Sequence, residues 1–191
     1  ACLRRHSLFA EPGLKIMSVG DGYIELVQGD ITRQDVDAIV NAANSSLLGG
    51  GGVDGAIHRV AGPRLLEACQ KIGGCPPGEA RITPGFRLPA ASVIHTVGPI
   101  WRGGDHGEDV TLARCYRNTM SLASQHHVRS IAFPSISTGA FGFPVDRAAR
   151  IAVRELRDAV DRYPDIVTVR VVCFGQVTFS AYELAMDDLL D

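Results

Sequence analysis

The chain has 191 residues, of which 46% are hydrophobic and 21% are charged, and its formal net charge is -2. This length and hydrophobic content are enough for one well-buried domain, and the near-neutral charge excludes a general electrostatic field for holding duplex DNA or RNA. No apolar run reaches the roughly 18–20 residues that a membrane span needs.

The N-terminal residues, 1–19, have no clear periodicity and lack the continuous apolar stretch of a secretory signal. We expect them to form an extension, or a remnant, outside a single domain of residues 20–191. Arg4, Arg5 and Ser7 also fit a trimmed organelle-targeting peptide, so that an organelle stays open as an alternative to a cytoplasmic location.

Strand and helix patterns alternate through the rest of the chain. Short apolar, β-branched segments predict strands, and apolar residues spaced three and four apart predict helices. The inner strands are continuously apolar, which indicates a mixed, largely parallel sheet with helices on both faces. The predicted strands cover 23–28, 37–41, 80–83, 92–97, 131–133 and 167–174, and the predicted helices cover 53–61, 63–71, 110–126, 144–163 and 180–190.

The first candidate binding segment is the glycine run Gly49–Gly52. Four successive glycines are costly in chain entropy, so they indicate a place where backbone approaches a ligand or where several N–H groups converge. The run also opens a predicted helix, whose N-terminus favours anions, and Asn44 and Asp54 flank it. A flexible surface turn is the structural alternative.

Two other nucleotide-binding patterns compete for the same glycines. Residues 50–55 satisfy G-x-G-x-x-G, but the dinucleotide fold needs these glycines directly after its first strand, with an acidic residue about twenty positions on. Neither condition holds here. The P-loop pattern fails because no Lys-Ser or Lys-Thr follows the glycines. A phosphate site without a lysine suits the binding of a diphosphate better than phosphoryl transfer.

The second candidate segment, residues 134–144, lies between a predicted strand and a predicted helix. Ligands of open α/β sheets bind at that end of a strand. Ser137, Thr138 and Gly139 offer hydroxyl and N–H groups, and Phe141 could cover the face of a sugar. An ordinary loop with one aromatic residue is the alternative. Two loops of this kind predict a ligand whose diphosphate lies between them.

Five motifs together resemble the macrodomain family, and in particular its MacroD-type branch, which includes bacterial O-acetyl-ADP-ribose deacetylases. The resemblance runs from about Tyr23 to the C-terminal helix. It implies a three-layer α/β/α sandwich around a six-stranded mixed sheet, with ADP-ribose in a cleft at the strand ends. The motifs are residues 29–32, 36–44, 49–59, 93–99 and 133–139.

The resemblance implies an adenine site formed by Asp30, Ile31 and Phe174. Asp30 would accept a hydrogen bond from the adenine amino group, a role that suits an acceptor-only carboxylate. Its structural alternative is a helix cap. Phe174 would pack on adenine, although a core position fits this residue equally well.

The resemblance also implies that Asn44 and Asp54 are catalytic at the distal ribose, with Asn41 in a supporting role. An Asx-turn at Asn41 and a helix cap at Asp54 are the structural alternatives. His58 and His95 are expected to pack or to form hydrogen bonds rather than to catalyse. The loops that would enclose the diphosphate and distal ribose comprise Gly49, Gly50, Gly51, Gly52, Val53, Ser137, Thr138, Gly139, Ala140 and Phe141.

The function that this resemblance implies is hydrolysis of esters at the distal ribose, either of O-acetyl-ADP-ribose or of mono-ADP-ribose on acidic side chains of proteins. Asn44 would orient a ribose hydroxyl and Asp54 would activate water. A non-catalytic reader of ADP-ribose is the alternative, and the presence of both residues favours the enzyme. An RNA-binding domain is a third hypothesis, which the net charge disfavours.

The expected partners are therefore ADP-ribose, O-acetyl-ADP-ribose and mono-ADP-ribosylated proteins, without nucleic acid, membrane or cofactor. No metal is expected, because the cysteines lie apart from other soft ligands. Their odd number and irregular spacing indicate reduced thiols in a cytoplasmic protein. They are Cys2, Cys69, Cys75, Cys115 and Cys173.

Overall fold

Strands and helices alternate along the chain in a computed structural model that describes residues 13–190. The helices are α1 (Gly52–Ala61), α2 (Pro63–Ile72), α3 (Glu108–Gln125), α4 (Val145–Arg162) and α5 (Gln176–Asp187). A single 3-10 turn covers Ile31–Arg33. The strands are β1 (Leu14–Val19), β2 (Gly22–Gln28), β3 (Ala38–Ala42), β4 (Ala80–Pro84), β5 (Ser92–Thr96), β6 (Ser130–Phe133) and β7 (Thr168–Cys173).

The strands form one sheet in the order β1-β2-β7-β6-β3-β5-β4. The five inner strands are parallel to one another, whereas β1 and β4 pair antiparallel at the two edges. The expected mixed, largely parallel sheet is thereby confirmed. All five parallel strands end at the same edge of the sheet, so the loops that follow them come together there.

Helices cover both faces of the sheet, as expected for a three-layer α/β/α sandwich. On one face α1 and α2 bury Ile57 and Leu65 in one apolar cluster. On the other face α3, α4 and α5 bury Leu112, Leu156 and Tyr182 in a second cluster. The domain therefore has two hydrophobic cores, which the sheet separates.

The sheet has seven strands rather than six, because residues 14–19 form β1 instead of lying outside the domain. In this edge strand Met17 and Val19 are buried, while Ile16 and Ser18, which alternate with them, are exposed. An antiparallel edge strand covers only one face of the core. Its alternation of buried and exposed residues was too short to predict a strand from the sequence. The expectations for residues 1–12, including the targeting peptide, lie outside the described residues.

Helix α5 begins at Gln176 rather than at residue 180. Val177 in its first turn is exposed, and the buried stripe starts only at Phe179. The spacing of apolar residues indicates only the buried face of a helix, so the predicted start of α5 was one turn too late. None of the helices in the described part of the chain is long and apolar enough to cross a membrane.

The loop before α3 is organised by the buried carboxylate of Glu108. Burial opposes its ionisation, but backbone N–H groups, including those of Arg102, Gly104 and His106, donate to it and lower the pKa of Glu108 to about 2. The carboxylate therefore holds the loop against the first turn of α3. Glutamine cannot accept all of these bonds, so buried N–H groups would lose their partner.

We expect Glu108→Gln to lower the thermal unfolding midpoint at pH 7 by at least about 3 °C. Because the folded pKa lies below the ordinary value of 4.5, the stabilisation is complete above that pH and is lost as the pH falls towards 2. The deficit of the variant should therefore shrink at pH 3. Asp109→Asn, which breaks a half-exposed pair with Arg147, should have a smaller effect. Equal midpoints of Glu108→Gln and wild type at pH 7 would contradict this role.

Candidate functional site

A cleft of about 760 Å³ lies at the carboxyl ends of the parallel strands. The loop after β3 leads to α1 on one face, and the loop after the neighbouring β6 leads to α4 on the other. The two loops diverge at this point and leave a crevice, which is where open α/β sheets bind ligands. The crevice is lined by Gly29–Ile31 after β2, Ala43 and Asn44 after β3, Gly98 after β5, residues 134, 135 and 137–141 after β6 and Phe174 after β7.

The glycine run forms the wall beside α1. Gly50, Gly51 and Gly52 line the cleft, and α1 begins directly at Gly52 without a side-chain cap. Its free N–H groups therefore open towards the cleft. Gly55 allows this approach, because a Cβ there would lie 2.5 Å from the carbonyl oxygen of Gly50. Gly52 has a φ of +57°, a conformation that favours glycine.

Asp54 is buried in the first turn of α1, with one carboxylate oxygen held by protein and the other towards the glycine run. Oδ1 accepts a hydrogen bond of 2.8 Å from Nδ2 of Asn41, and Nε2 of His58 lies 3.5 Å from it. Oδ2 lies 3.1 Å from the point that a Cβ on Gly50 would occupy. The N-cap position belongs to Gly51, so Asp54 does not cap this helix.

Asn44 also lines the cleft, beside the same glycine. Its Nδ2 donates to the carbonyl oxygen of Gly49 at 2.7 Å, and its Oδ1 accepts from the hydroxyl of Ser46 at 2.7 Å. The same Nδ2 lies 3.4 Å from the point that a Cβ on Gly50 would occupy. The side chains of Asn44 and Asp54 therefore both lie beside Gly50.

Two residues expected to bind the ligand, Asn41 and Gly49, do not line the cleft. Asn41 lies on β3 beneath Asp54 and is completely buried, with Nδ2 also 3.1 Å from Nδ1 of His95. Gly49 turns its carbonyl towards Asn44. Burial, and to a smaller extent coulombic repulsion from His58, lower the pKa of His95 to about 4, so this ring is neutral at neutral pH.

The opposite end of the cleft carries Asp30, Ile31 and Phe174. Oδ1 of Asp30 accepts from the backbone N–H and the hydroxyl of Thr32, at 2.9 and 2.7 Å, and caps the 3-10 turn. These hydrogen bonds lower the pKa of Asp30. Its Oδ2 lies 3.8 Å from Nε of Arg33. Phe174 is 88% exposed, so it is not a core residue.

The loop after β6 contributes Ser137, Thr138, Gly139, Ala140 and Phe141 to the lining of the cleft. Ser137 has a φ of +66°, which is unusual for a residue with a side chain. Its hydroxyl is buried, and no other group of the described residues is its hydrogen-bond partner. Strained backbone of this kind concentrates at functional sites.

Several lining residues were not singled out from the sequence, and Arg59 is the most informative. It is the one Lys or Arg among the described residues that line the cleft. Its guanidinium reaches back along α1, to 3.2 Å from the point that a Cβ on Gly55 would occupy. Arg59 lies seven residues after Gly52, which places both on one face of the helix, and this spacing could have identified it. The other additions are Gly29, Ala42, Ala43, Ala56, Gly98, Pro134, Ser135, Val172 and Thr178.

No group of three or more His, Cys, Asp and Glu side chains within residues 13–190 is arranged to hold a metal ion. The polar groups that the described residues offer at the cleft are the carboxylates of Asp30 and Asp54, the amide of Asn44, the guanidinium of Arg59, hydroxyls and backbone N–H groups. Such a set can orient a sugar, bind an anion and accept a proton.

Comparison with known proteins agrees with this geometry. The family model described as "Macro domain" matches residues 40–152. An O-acetyl-ADP-ribose deacetylase of Klebsiella pneumoniae is 56% identical over 162 residues, which are 83% of this chain and 93% of that protein. The Oceanobacillus iheyensis macrodomain with ADP superimposes with a TM-score of 0.89 at 44% identity, covering 93% of this chain and 96% of that one. The Trypanosoma brucei macrodomain in complex with ADP-ribose gives 0.79 at 45% identity, covering 84% and 68%. This chain therefore belongs to the macro domain family.

Proposed function

We propose that the chain binds ADP-ribose in the cleft and hydrolyses esters at its distal ribose. The substrates would be O-acetyl-ADP-ribose and mono-ADP-ribose attached to acidic side chains of proteins. The observation that carries the catalytic part is Asp54, a buried carboxylate with Oδ1 held by Asn41 and Oδ2 towards the glycine run. A carboxylate held in this way is preorganised to act on a ligand in the cleft.

The binding part rests on the complementarity between ADP-ribose and the two ends of the cleft. Oδ2 of Asp30 can accept from the adenine amino group, and the exposed ring of Phe174 offers a stacking surface. The N-terminus of α1 and the N–H groups around Ser137 supply donors for a diphosphate, to which Arg59 adds a positive charge. A solved relative from Trypanosoma brucei contains ADP-ribose, and this supports the same ligand here.

The hydrolytic part requires a nucleophile and a base at the distal ribose. Asn44 would hold a ribose hydroxyl, and a water molecule between the glycine run and the ribose would give up its proton to Oδ2 of Asp54 as it attacks. The ester bond breaks, the acyl group leaves as a carboxylate, and the ribose recovers its hydroxyl. N–H groups of the two loops stabilise the negative charge that develops. The deacetylase of Klebsiella pneumoniae, 56% identical to this chain, supports this reaction.

A reader module that only binds ADP-ribose is the second candidate. Binding of the adenine and the diphosphate would need Asp30 and the two loops, but it would not need a buried carboxylate beside the distal ribose. Keeping a carboxylate buried costs free energy unless it is well paired, so the arrangement around Asp54 favours the enzyme.

The ligand is tested by isothermal titration calorimetry. We expect ADP-ribose to bind with micromolar affinity, which corresponds to roughly -8 kcal/mol. NAD should bind more weakly, because its nicotinamide occupies the place of the free distal hydroxyl, next to Asn44 and Asp54. Equal or tighter binding of NAD would instead favour a dinucleotide-binding site.

A further inference from the structure

A line of buried polar side chains runs from the far edge of the sheet to the carboxylate of Asp54. Thr83 lies on β4, His95 on β5 and Asn41 on β3, and all three are buried. Oγ1 of Thr83 is 2.9 Å from Nε2 of His95, and Nδ1 of that ring is 3.1 Å from Nδ2 of Asn41. The same Nδ2 is 2.8 Å from Oδ1 of Asp54.

The chemistry of the groups fixes the direction of each hydrogen bond. A carboxylate oxygen only accepts, so Nδ2 of Asn41 is the donor towards Asp54. The second hydrogen of that amide then points to Nδ1 of His95, which must be the unprotonated nitrogen. A neutral imidazole carries its one proton on the other nitrogen, so Nε2 donates to the hydroxyl of Thr83.

The tautomer of His95 therefore decides how Asn41 is oriented. With the proton on Nδ1, the ring would face the amide hydrogens of Asn41, and the amide would have to turn over. Its Oδ1 would then lie against Oδ1 of Asp54, where two acceptors repel one another. The hydroxyl of Thr83 is the acceptor for the Nε2 proton of this tautomer, so that the buried N–H is paired and the ring is held in place. The thiol of Cys69 is 3.8 Å from the same nitrogen, too distant for an equal contribution.

We infer that Thr83 and His95 are positioning residues for the hydrolysis: Thr83 anchors the Nε2–H tautomer of His95, whose Nδ1 accepts from Asn41, so that Asn41 presents its amide to Asp54 and leaves Oδ2 for water. This inference rests on the proposed function. Neither residue lines the cleft, so they act through Asn41 and not through contact with the ligand.

The test replaces Thr83 by valine, which has the same shape and lacks the hydroxyl. We expect single-turnover release of acetate from O-acetyl-ADP-ribose to fall by about 10- to 100-fold, the range for small misplacements of a catalytic group. The Kd of ADP-ribose should change less than about twofold. Thr83→Ser restores the hydroxyl and should recover most of the rate. Thr119→Val is the matched control, since Thr119 is buried in α3 on the other face and its hydroxyl has no partner among the described residues.

Nitrogen NMR of the His95 ring supplies a readout that a loss of packing would not change. The wild type should have the proton on Nε2, and Thr83→Val should shift the signal of this nitrogen, because its N–H loses the acceptor. A wild-type ring protonated on Nδ1 would overturn the inference, and so would a Thr83→Val variant that keeps the wild-type rate. A wild type that binds ADP-ribose but releases no acetate would overturn the proposed function, and the inference with it.

Discussion

Replacing Asp54 by alanine should lower the single-turnover hydrolysis of O-acetyl-ADP-ribose by about 10²–10⁴-fold, the usual contribution of a general base. The affinity for ADP-ribose should fall far less, because the diphosphate and adenine contacts are made elsewhere in the cleft. Asp54→Asn is the sharper variant: its Oδ1 can still accept from Asn41, but its amide nitrogen cannot take a proton from water. Both variants should therefore bind the product and fail to turn over the substrate.

The measurement pairs acetate release with calorimetric binding of ADP-ribose to the same preparations. Asn44→Ala should behave similarly, with a larger part of its effect in positioning the substrate. An Asp54→Asn variant as active as the wild type would remove Asp54 from the mechanism, and attack assisted by a substrate phosphate would be the simplest replacement. A wild type that binds ADP-ribose, releases no acetate and frees no ADP-ribose from a modified glutamate would favour the reader.

Removing the carboxylate of Asp30 should weaken the binding of ADP-ribose by about 1.5–3 kcal/mol, or roughly 10- to 150-fold in Kd. The bond that is lost joins a charged acceptor to the adenine amino group. Asp30 also caps the 3-10 turn through Thr32, so Asp30→Ala removes a ligand contact and a structural contact together.

Asp30→Asn separates the two effects. The N–H and hydroxyl of Thr32 require an acceptor, so they hold the amide oxygen in the place of Oδ1 and turn the amide nitrogen towards the cleft. A donor would then face the adenine amino group, and affinity should fall as in the alanine variant while the thermal midpoint stays near that of the wild type. If the folded Asp30→Asn variant bound ADP-ribose with unchanged affinity, the role of Asp30 would be limited to capping the 3-10 turn.

Sequence patterns predicted the layers of the fold because these depend on local periodicity. The inner strands are mostly apolar, and the buried stripe of α4, with Ala148, Ala152 and Leu156, has helical spacing. The edge strand β1 was missed because an edge exposes one face, and only Met17 and Val19 are buried in it. Boundaries that depend on exposed residues are harder to predict for the same reason.

One part of the candidate site could likewise be predicted from the sequence, and another part could not. The glycine run, Asn44 and Asp54 lie within one short segment, so their proximity could be predicted from the chain alone. The contact between Thr83 and His95 could not, because it depends on the register of β4 against β5. No local pattern predicts which strands become neighbours. The line of buried polar side chains that leads to Asp54 could therefore be found only in the three-dimensional structure.

The order of the strands has a consequence for how the domain folds. The inner neighbour of β2 is β7, and Arg170 pairs with Glu25 across 145 positions of the chain. During synthesis the hairpin of β1 and β2 therefore cannot pair with its inner neighbour until β7 has been made. Until then it is an isolated two-stranded hairpin, which is only marginally stable in water. Such long-range pairing carries a large loop-closure entropy, which makes it slow. Closure of the sheet between β2 and β7, which brings Asp30 to Phe174, therefore requires β7 to have been synthesised, and that end of the cleft forms only afterwards.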